Sequence, residues 1–189
     1  NGDFAPYLYK TTDYGKTWTK IVNGIDPEHF TRVVRADPVK KGILYAGTET
    51  GMYVSFNDGA NWQPLQLNLP IVPITDLTIK ENNLIAATQG RSFWIIDDLT
   101  VLHQMSNEIA NKPFHLFKPQ DSYSLDGTKK PSLTAGTNRP GGVLVYYHLK
   151  NEPKEELRIG NTILALDFHP TAFSGSSSSA FYYSNHRPY

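Results

Sequence analysis

The feature that most constrains this chain is a pattern that recurs along it. Thr11-Thr12-Asp13-Tyr14-Gly15-Lys16-Thr17-Trp18 and Ser55-Phe56-Asn57-Asp58-Gly59-Ala60-Asn61-Trp62 both read S/T-x-D/N-x-G-x-x-W, with their Asp and Asn positions 57 − 13 = 44 residues apart. A worn third copy runs from Ile95 to Leu102: it keeps an acid at Asp97, 97 − 57 = 40 residues further on, and has Leu102 where the Trp stood. A period of roughly 40 to 45 residues is the length of a four-stranded propeller blade, and self-similarity on that scale outranks local propensity as a guide to architecture.

The flanks carry the same rhythm. Ile43 to Gly47 and Met52 to Phe56 alternate as strands around Thr48-Glu49-Thr50-Gly51, and Leu84 to Thr88 and Ser92 to Asp97 do so around Gln89-Gly90-Arg91. One strand precedes each pair, Phe30 to Arg35 and Ile74 to Ile79, closed by the turn sequences Asp37-Pro38 and Glu81-Asn82-Asn83. A fourth strand is expected to start at each Trp or at Leu102. The first copy has only the Tyr7 to Thr12 strand ahead of it, so the text is expected to start inside a blade. The expectation is an all-β chain: an incomplete β-propeller of two near-complete four-stranded blades plus part of a third, then a linker and an isolated strand.

Physical chemistry explains the motif without catalysis. An Asp13 or Asn57 side chain in a hairpin accepts backbone N–H bonds, the hydroxyl of Thr11 or Ser55 adds a local bond, and Gly15 and Gly59 supply positive φ. Trp18 and Trp62 are then expected to fill the wedges between neighbouring blades. A structural role for Thr11, Asp13, Gly15, Trp18, Ser55, Asn57, Gly59, Trp62 and Asp97 therefore outweighs a catalytic one.

Composition removes several functions. Eighteen basic against eighteen acidic side chains leave no field to hold a phosphate backbone, so nucleic acid is not an expected ligand. No apolar run reaches the roughly 18 residues of a spanning helix. With no cysteine there is no disulfide, thiolate metal site or thiol nucleophile. The histidines at 29, 103, 115, 148, 169 and 186 stand singly, without an i, i+4 pair, so neither metal nor cofactor is expected.

The turn copies resemble the Asp-box, or bacterial neuraminidase repeat, of sialidases, xyloglucan-cleaving glycosidases and sortilin-type propellers. Ala46-Gly47-Thr48-Glu49-Thr50-Gly51-Met52-Tyr53-Val54-Ser55, Leu67-Asn68-Leu69-Pro70 and Gly90-Arg91-Ser92-Phe93-Trp94-Ile95-Ile96-Asp97-Asp98-Leu99 are similar to the C-terminal end of the propeller in large bacterial proteins labelled glycosyl hydrolase or sortilin-related. The resemblance implies an extracellular or periplasmic module, further blades of a parent chain as its partners, and a peptide or glycan ligand. It implies as an alternative a fragment of a glycoside hydrolase acting on neutral polysaccharide. Sialidase chemistry fits poorly, because a cluster of arginines must hold the substrate carboxylate and only Arg32, Arg35, Arg91, Arg139, Arg158 and Arg187 are present.

Antiparallel strands alternate direction, so the 48–51 and 89–91 turns should share one end of the blades with the loops at 24–29 and 67–73, opposite the motif turns. Arg91, Glu49, Asp26 and His29 are the ligand-binding candidates at that end, Arg91 foremost because a guanidinium clamps a carboxylate with two nitrogens; catalytic residues are not assigned. Residues 1–118 are read as the blades, 119–142 as a Gly-, Pro- and Ser-rich linker, 143–157 as the start of a truncated β-sandwich-like segment opening with the Val143 to Lys150 strand, and 158–189 as an irregular or disordered tail.

Overall fold

A computed structural model of the chain describes residues 2–121, 143–151, 158–159, 162–163 and 180–184. Most of the linker read at 119–142, the end of the segment read at 143–157 and most of the tail read at 158–189 lie outside the described residues. The chain is mostly β, in small antiparallel sheets that are open among those residues, with two short helices. It divides into two units, residues 2–99 and the described residues from Thr100 onward.

The first unit holds three sheets. Strands β1 (Tyr9–Lys10) and β2 (Thr19–Lys20) pair across the first motif turn. Strands β3 (Thr31–Ala36), β4 (Leu44–Thr48), β5 (Met52–Ser55) and β6 (Gln63–Pro64) form a four-stranded meander, and β7 (Ile74–Lys80), β8 (Asn83–Thr88) and β9 (Phe93–Ile96) a three-stranded one. The connections follow from turn chemistry. Asp37 Oδ1 accepts from Val39 and Lys40 N–H at 2.8 Å each, and its other oxygen accepts from Tyr45 Oη at 2.9 Å, which closes the β3–β4 turn. Glu81 and Asn82 both take positive φ, the pattern of the two-residue turn whose twist suits a hairpin, and join β7 to β8.

The second and third sheets repeat each other in register. Ala46 lies opposite Tyr53 as Ala86 lies opposite Trp94, and both first strands shift register after their opening residue, at Thr31/Val33 and Ile74/Asp76. Loop bonds repeat as well: Ile21 N–H to Leu8 O and Leu65 N–H to Met52 O, both 2.8 Å, and Asp58 N–H to Gly42 O at 2.8 Å with Leu99 N–H to Asn82 O at 2.9 Å. This register corrects the third motif copy. The turn between β8 and β9 is one residue longer than that between β4 and β5, so Asp98, not Asp97, holds the place of Asn57. Asp98 is buried and accepts from Asn82 Nδ2 at 3.1 Å, whereas Asp97 is exposed, and no hairpin follows it. The chain instead enters helix α1 (Thr100–Gln104), and the fourth strand expected at Leu102 is absent from the described residues.

Trp62 is 5% exposed and packs with Leu8, Ile25, Ala46 and Tyr53, its indole N–H donating to Ile21 O at 2.8 Å. Trp18 does not follow it. It is 60% exposed, and its N–H turns back to Gly15 O of its own turn at 3.1 Å. The physical reason is the neighbour: Trp62 has the β1–β2 hairpin and its trailing loop on its far side, and no described sheet stands in that place beside Trp18.

In the second unit, helix α2 (Asn107–Asn111) is capped by Ser106, whose Oγ accepts from Ile109 N–H at 3.3 Å. Gln104 pairs with the backbone of Lys118 through both its amide atoms, at 2.9 Å each. Strand β10 (Phe114–Leu116) pairs with β11 (Val145–Leu149), so the Val143 to Lys150 strand has a partner; β11 also pairs with β14 (Ala180–Ser184), and β12 (Arg158–Ile159) pairs with β13 (Thr162–Ile163). His148 is fully buried on β11, and burial pushes its imidazole below the ordinary 6.5.

Candidate functional site

The two ends of the first unit carry different chemistry. At the motif end, Thr11 Oγ1 accepts from Gly15 N–H and donates to Asp13 Oδ1, both 2.8 Å, while Asp13 accepts from Thr17 N–H at 2.9 Å and Thr17 Oγ1 at 2.6 Å. Ser55 and Asn57 reproduce the core of this set: Gly59 N–H to Ser55 Oγ at 2.9 Å, Ser55 Oγ to Asn57 Oδ1 at 3.1 Å and Asn61 N–H to Asn57 Oδ1 at 2.8 Å. Residues 14, 15, 58 and 59 all take positive φ. An ion pair between Lys10 and Asp58 joins the two turns. Three bonds to the Asp13 carboxylate, from Thr11 Oγ1, Thr17 N–H and Thr17 Oγ1, hold it to its own turn.

Those bonds hold the Asp13 carboxyl down to about 2, the Thr17 hydroxyl contributing most, then the Thr17 amide and Thr11. A depressed folded value means that the stabilisation is present above the ordinary 3.8 and is lost as pH falls through about 2. Replacing Thr17 by Val removes the strongest donor and should move the Asp13 titration, followed by carboxyl carbon NMR, upward toward 3.8.

The opposite end is where Asp26, His29, Glu49 and Arg91 were expected. Glu49 N–H bonds to Phe30 O at 3.1 Å and Gln89 N–H to Pro73 O at 2.9 Å, so each turn does meet the loop ahead of its own sheet. Asp26 and His29 come together on Tyr53: His29 Nδ1 lies 2.8 Å from Tyr53 Oη, and Asp26 N–H donates to the same oxygen at 3.4 Å. Burial, with a smaller contribution from the Asp26 charge, pushes the Tyr53 phenol above its ordinary 10, so it stays a neutral hydroxyl. The Asp26 carboxylate caps its own loop, accepting from Glu28 N–H at 2.9 Å.

Glu49 is ion-paired with Arg32, and Arg32 also covers the Phe30 ring with its guanidinium carbon 5.2 Å from the centroid. Arg91 joins neither group: it lies exposed between Gly90 and Ser92, both at positive φ, and its carbonyl accepts from Trp94 Nε1 at 2.9 Å. Trp94 thus has its polar edge tied to this turn.

Tyr53 and Arg32 were missed from sequence. Tyr53 lies in a run, Met52 to Ser55, buried on both faces, so alternation carries no sign of which side chain reaches the loop end. Arg32 has a legible signal, an opposite charge beside the turn that its strand meets across the sheet. The cluster holds a neutral hydroxyl, an imidazole, an ion pair and aromatic surface. Among the described residues no group of three or more His, Asp or Glu side chains is placed to hold a metal ion, and no helix is long and apolar enough to cross a membrane. Compared with family models and with curated proteins, the sequence matches none.

Proposed function

We propose that this chain is part of a β-propeller of the Asp-box type, and that it binds a peptide or glycan at its loop end without chemical turnover. The observation that carries this reading is the convergence of Asp26 and His29 on the neutral Tyr53 hydroxyl while Glu49 is occupied by Arg32. A hydrolase needs one carboxyl free to donate a proton and a second free to attack or to activate water. Here one carboxylate is ion-paired and the other caps a loop. The in-register repetition of the second and third sheets supports the blade reading.

The test is an NMR titration of the chain with cellotetraose and, separately, with a pool of unstructured decapeptides. Amide shifts should concentrate at residues 26–32, 48–53 and 89–92 for one of the two. Tyr53→Phe should weaken that ligand about fivefold, the effect of losing one hydrogen bond of about 1 kcal/mol. Cleavage of cellotetraose that disappears in Glu49→Gln would overturn the proposal in favour of a glycosidase.

A further inference from the structure

The same positions serve at each junction between neighbouring sheets of the first unit. At the first junction Leu8, just ahead of β1, packs in one cluster with Tyr53 and Trp62 of the second sheet. The motif spacing and the cross-strand register make Leu8, Met52 and Phe93 equivalent, and likewise Lys10, Val54 and Ile95. Leu8, Met52 and Val54 are all buried, whereas Phe93 is 71% exposed and Ile95 54%. The face that the third sheet offers to a following sheet is therefore bare among the described residues.

The other end of the unit is bare at the complementary positions. Tyr9 and Trp18 hold in the first sheet the places that Tyr53 and Trp62 hold in the second; the later pair is buried and the earlier pair exposed. A third pair of positions follows the same rule. Lys10 is ion-paired with Asp58 at the first junction, and at the second the same two positions are Val54 and Leu99, both fully buried. Carried one step further, Phe93 calls for Tyr9 and Trp18, and Ile95 for Tyr14, which has the place of Asp58 in its own turn and is fully exposed. Apolar surface then meets apolar surface, as at the second junction. The Trp18 N–H is already bonded to Gly15 O, so covering its ring leaves no orphaned donor. Tyr53 and its neighbours Met52 and Val54 point to opposite faces of the second sheet, which sets the first and third sheets on either side of it. The two bare faces point away from each other, and one copy cannot close them on itself.

We infer that the chain associates head to tail with a second copy of itself: the Phe93 and Ile95 face of one copy receives Tyr9, Tyr14 and Trp18 of the next, as the first sheet receives the second within the chain. The contact joins two different patches, so every assembly keeps one open face at each end and growth does not stop at a dimer. The contact is also small, because β4 has no counterpart beside β1 among the described strands. It belongs with the weak, transient class of interfaces, with a Kd on the order of 0.1 mM, and at the micromolar concentrations of an unfolding measurement the chain is monomeric. This association rests on sheet register and burial and not on the loop-end cluster, and either can fail alone.

The test is sedimentation velocity of the 189-residue chain from about 10 µM to about 1 mM, with amide NMR over the same series. The mass should rise past that of a dimer at the upper end, and the amide signals of 9–18 and of 93–96 should shift together with concentration. Phe93→Thr and Trp18→Ala each block one face, and each should weaken self-association about tenfold or more, as for removal of an aromatic anchor. Both positions are exposed, so the variants keep the fold, and the wild-type series needs neither of them. Mixed together, the two variants should form a one-to-one dimer with wild-type affinity and grow no further, because the Trp18→Ala copy keeps its Phe93 face and the Phe93→Thr copy keeps its Trp18 face. A chain that stays monomeric throughout, self-association that survives in either variant alone, or variants that do not dimerise when mixed would overturn the inference. Protection of Phe93 from solvent that does not change with concentration would also overturn it and give the face to a segment of the same chain.

Discussion

Replacing Trp62 with alanine is expected to cost about 3–5 kcal/mol, the range for truncating a buried Trp in a core. Trp18→Ala, at the same position of the other motif copy, is expected to stay within about 0.5 kcal/mol, as for a surface substitution. The reason is burial and not residue type: Trp62 is 5% exposed, with its N–H bonded across to the preceding hairpin, and Trp18 is 60% exposed, bonded to its own turn. Urea unfolding followed by amide signals of β4 and β5 measures both. Similar losses for the two variants would mean that Trp18 is covered in solution by something that takes the place of the β1–β2 hairpin.

The second large effect is expected at Gly24. An alanine there takes on a positive φ of +94 and a Cβ that meets Trp62 O at 2.2 Å, a backbone atom that cannot rotate away. Strain of about 1–3 kcal/mol for the backbone conformation is joined by displacement of the Trp62 strand from its bond to Asn23 O. The loss should therefore exceed about 2 kcal/mol. Because Gly24 and Trp62 touch, the double variant should lose less than the two single losses together, the non-additivity of residues in contact. Gly90→Ala is the control: it too has positive φ, at +83, but nothing lies within 4 Å of its added Cβ, so it isolates the conformational part of the cost.

The hairpins were legible because their causes are local. Thr11, Asp13, Gly15 and Thr17 bond within four residues of one another, and so do Ser55, Asn57, Gly59 and Asn61. The third copy was placed one residue early, at Asp97, because a count along the chain does not register the longer β8–β9 turn, whereas cross-strand pairing does. At the loop end, the sequence named Asp26 and His29 but left out Tyr53, which lies 24 residues from His29 and meets it only through the fold.

By itself, then, the sequence determined an all-β chain, the positions of β3 to β9, and the motif turns with their positive-φ residues, since each follows from alternation or from side chains bonding to backbone a few residues away. Tertiary structure alone decided which motif tryptophan is buried, which acid takes the place of Asn57 in the third sheet, and which side chains surround His29. Identical local patterns carry no information about the surface opposite them. Burial is the joint property of two surfaces, and the second of them lies tens of residues away along the chain.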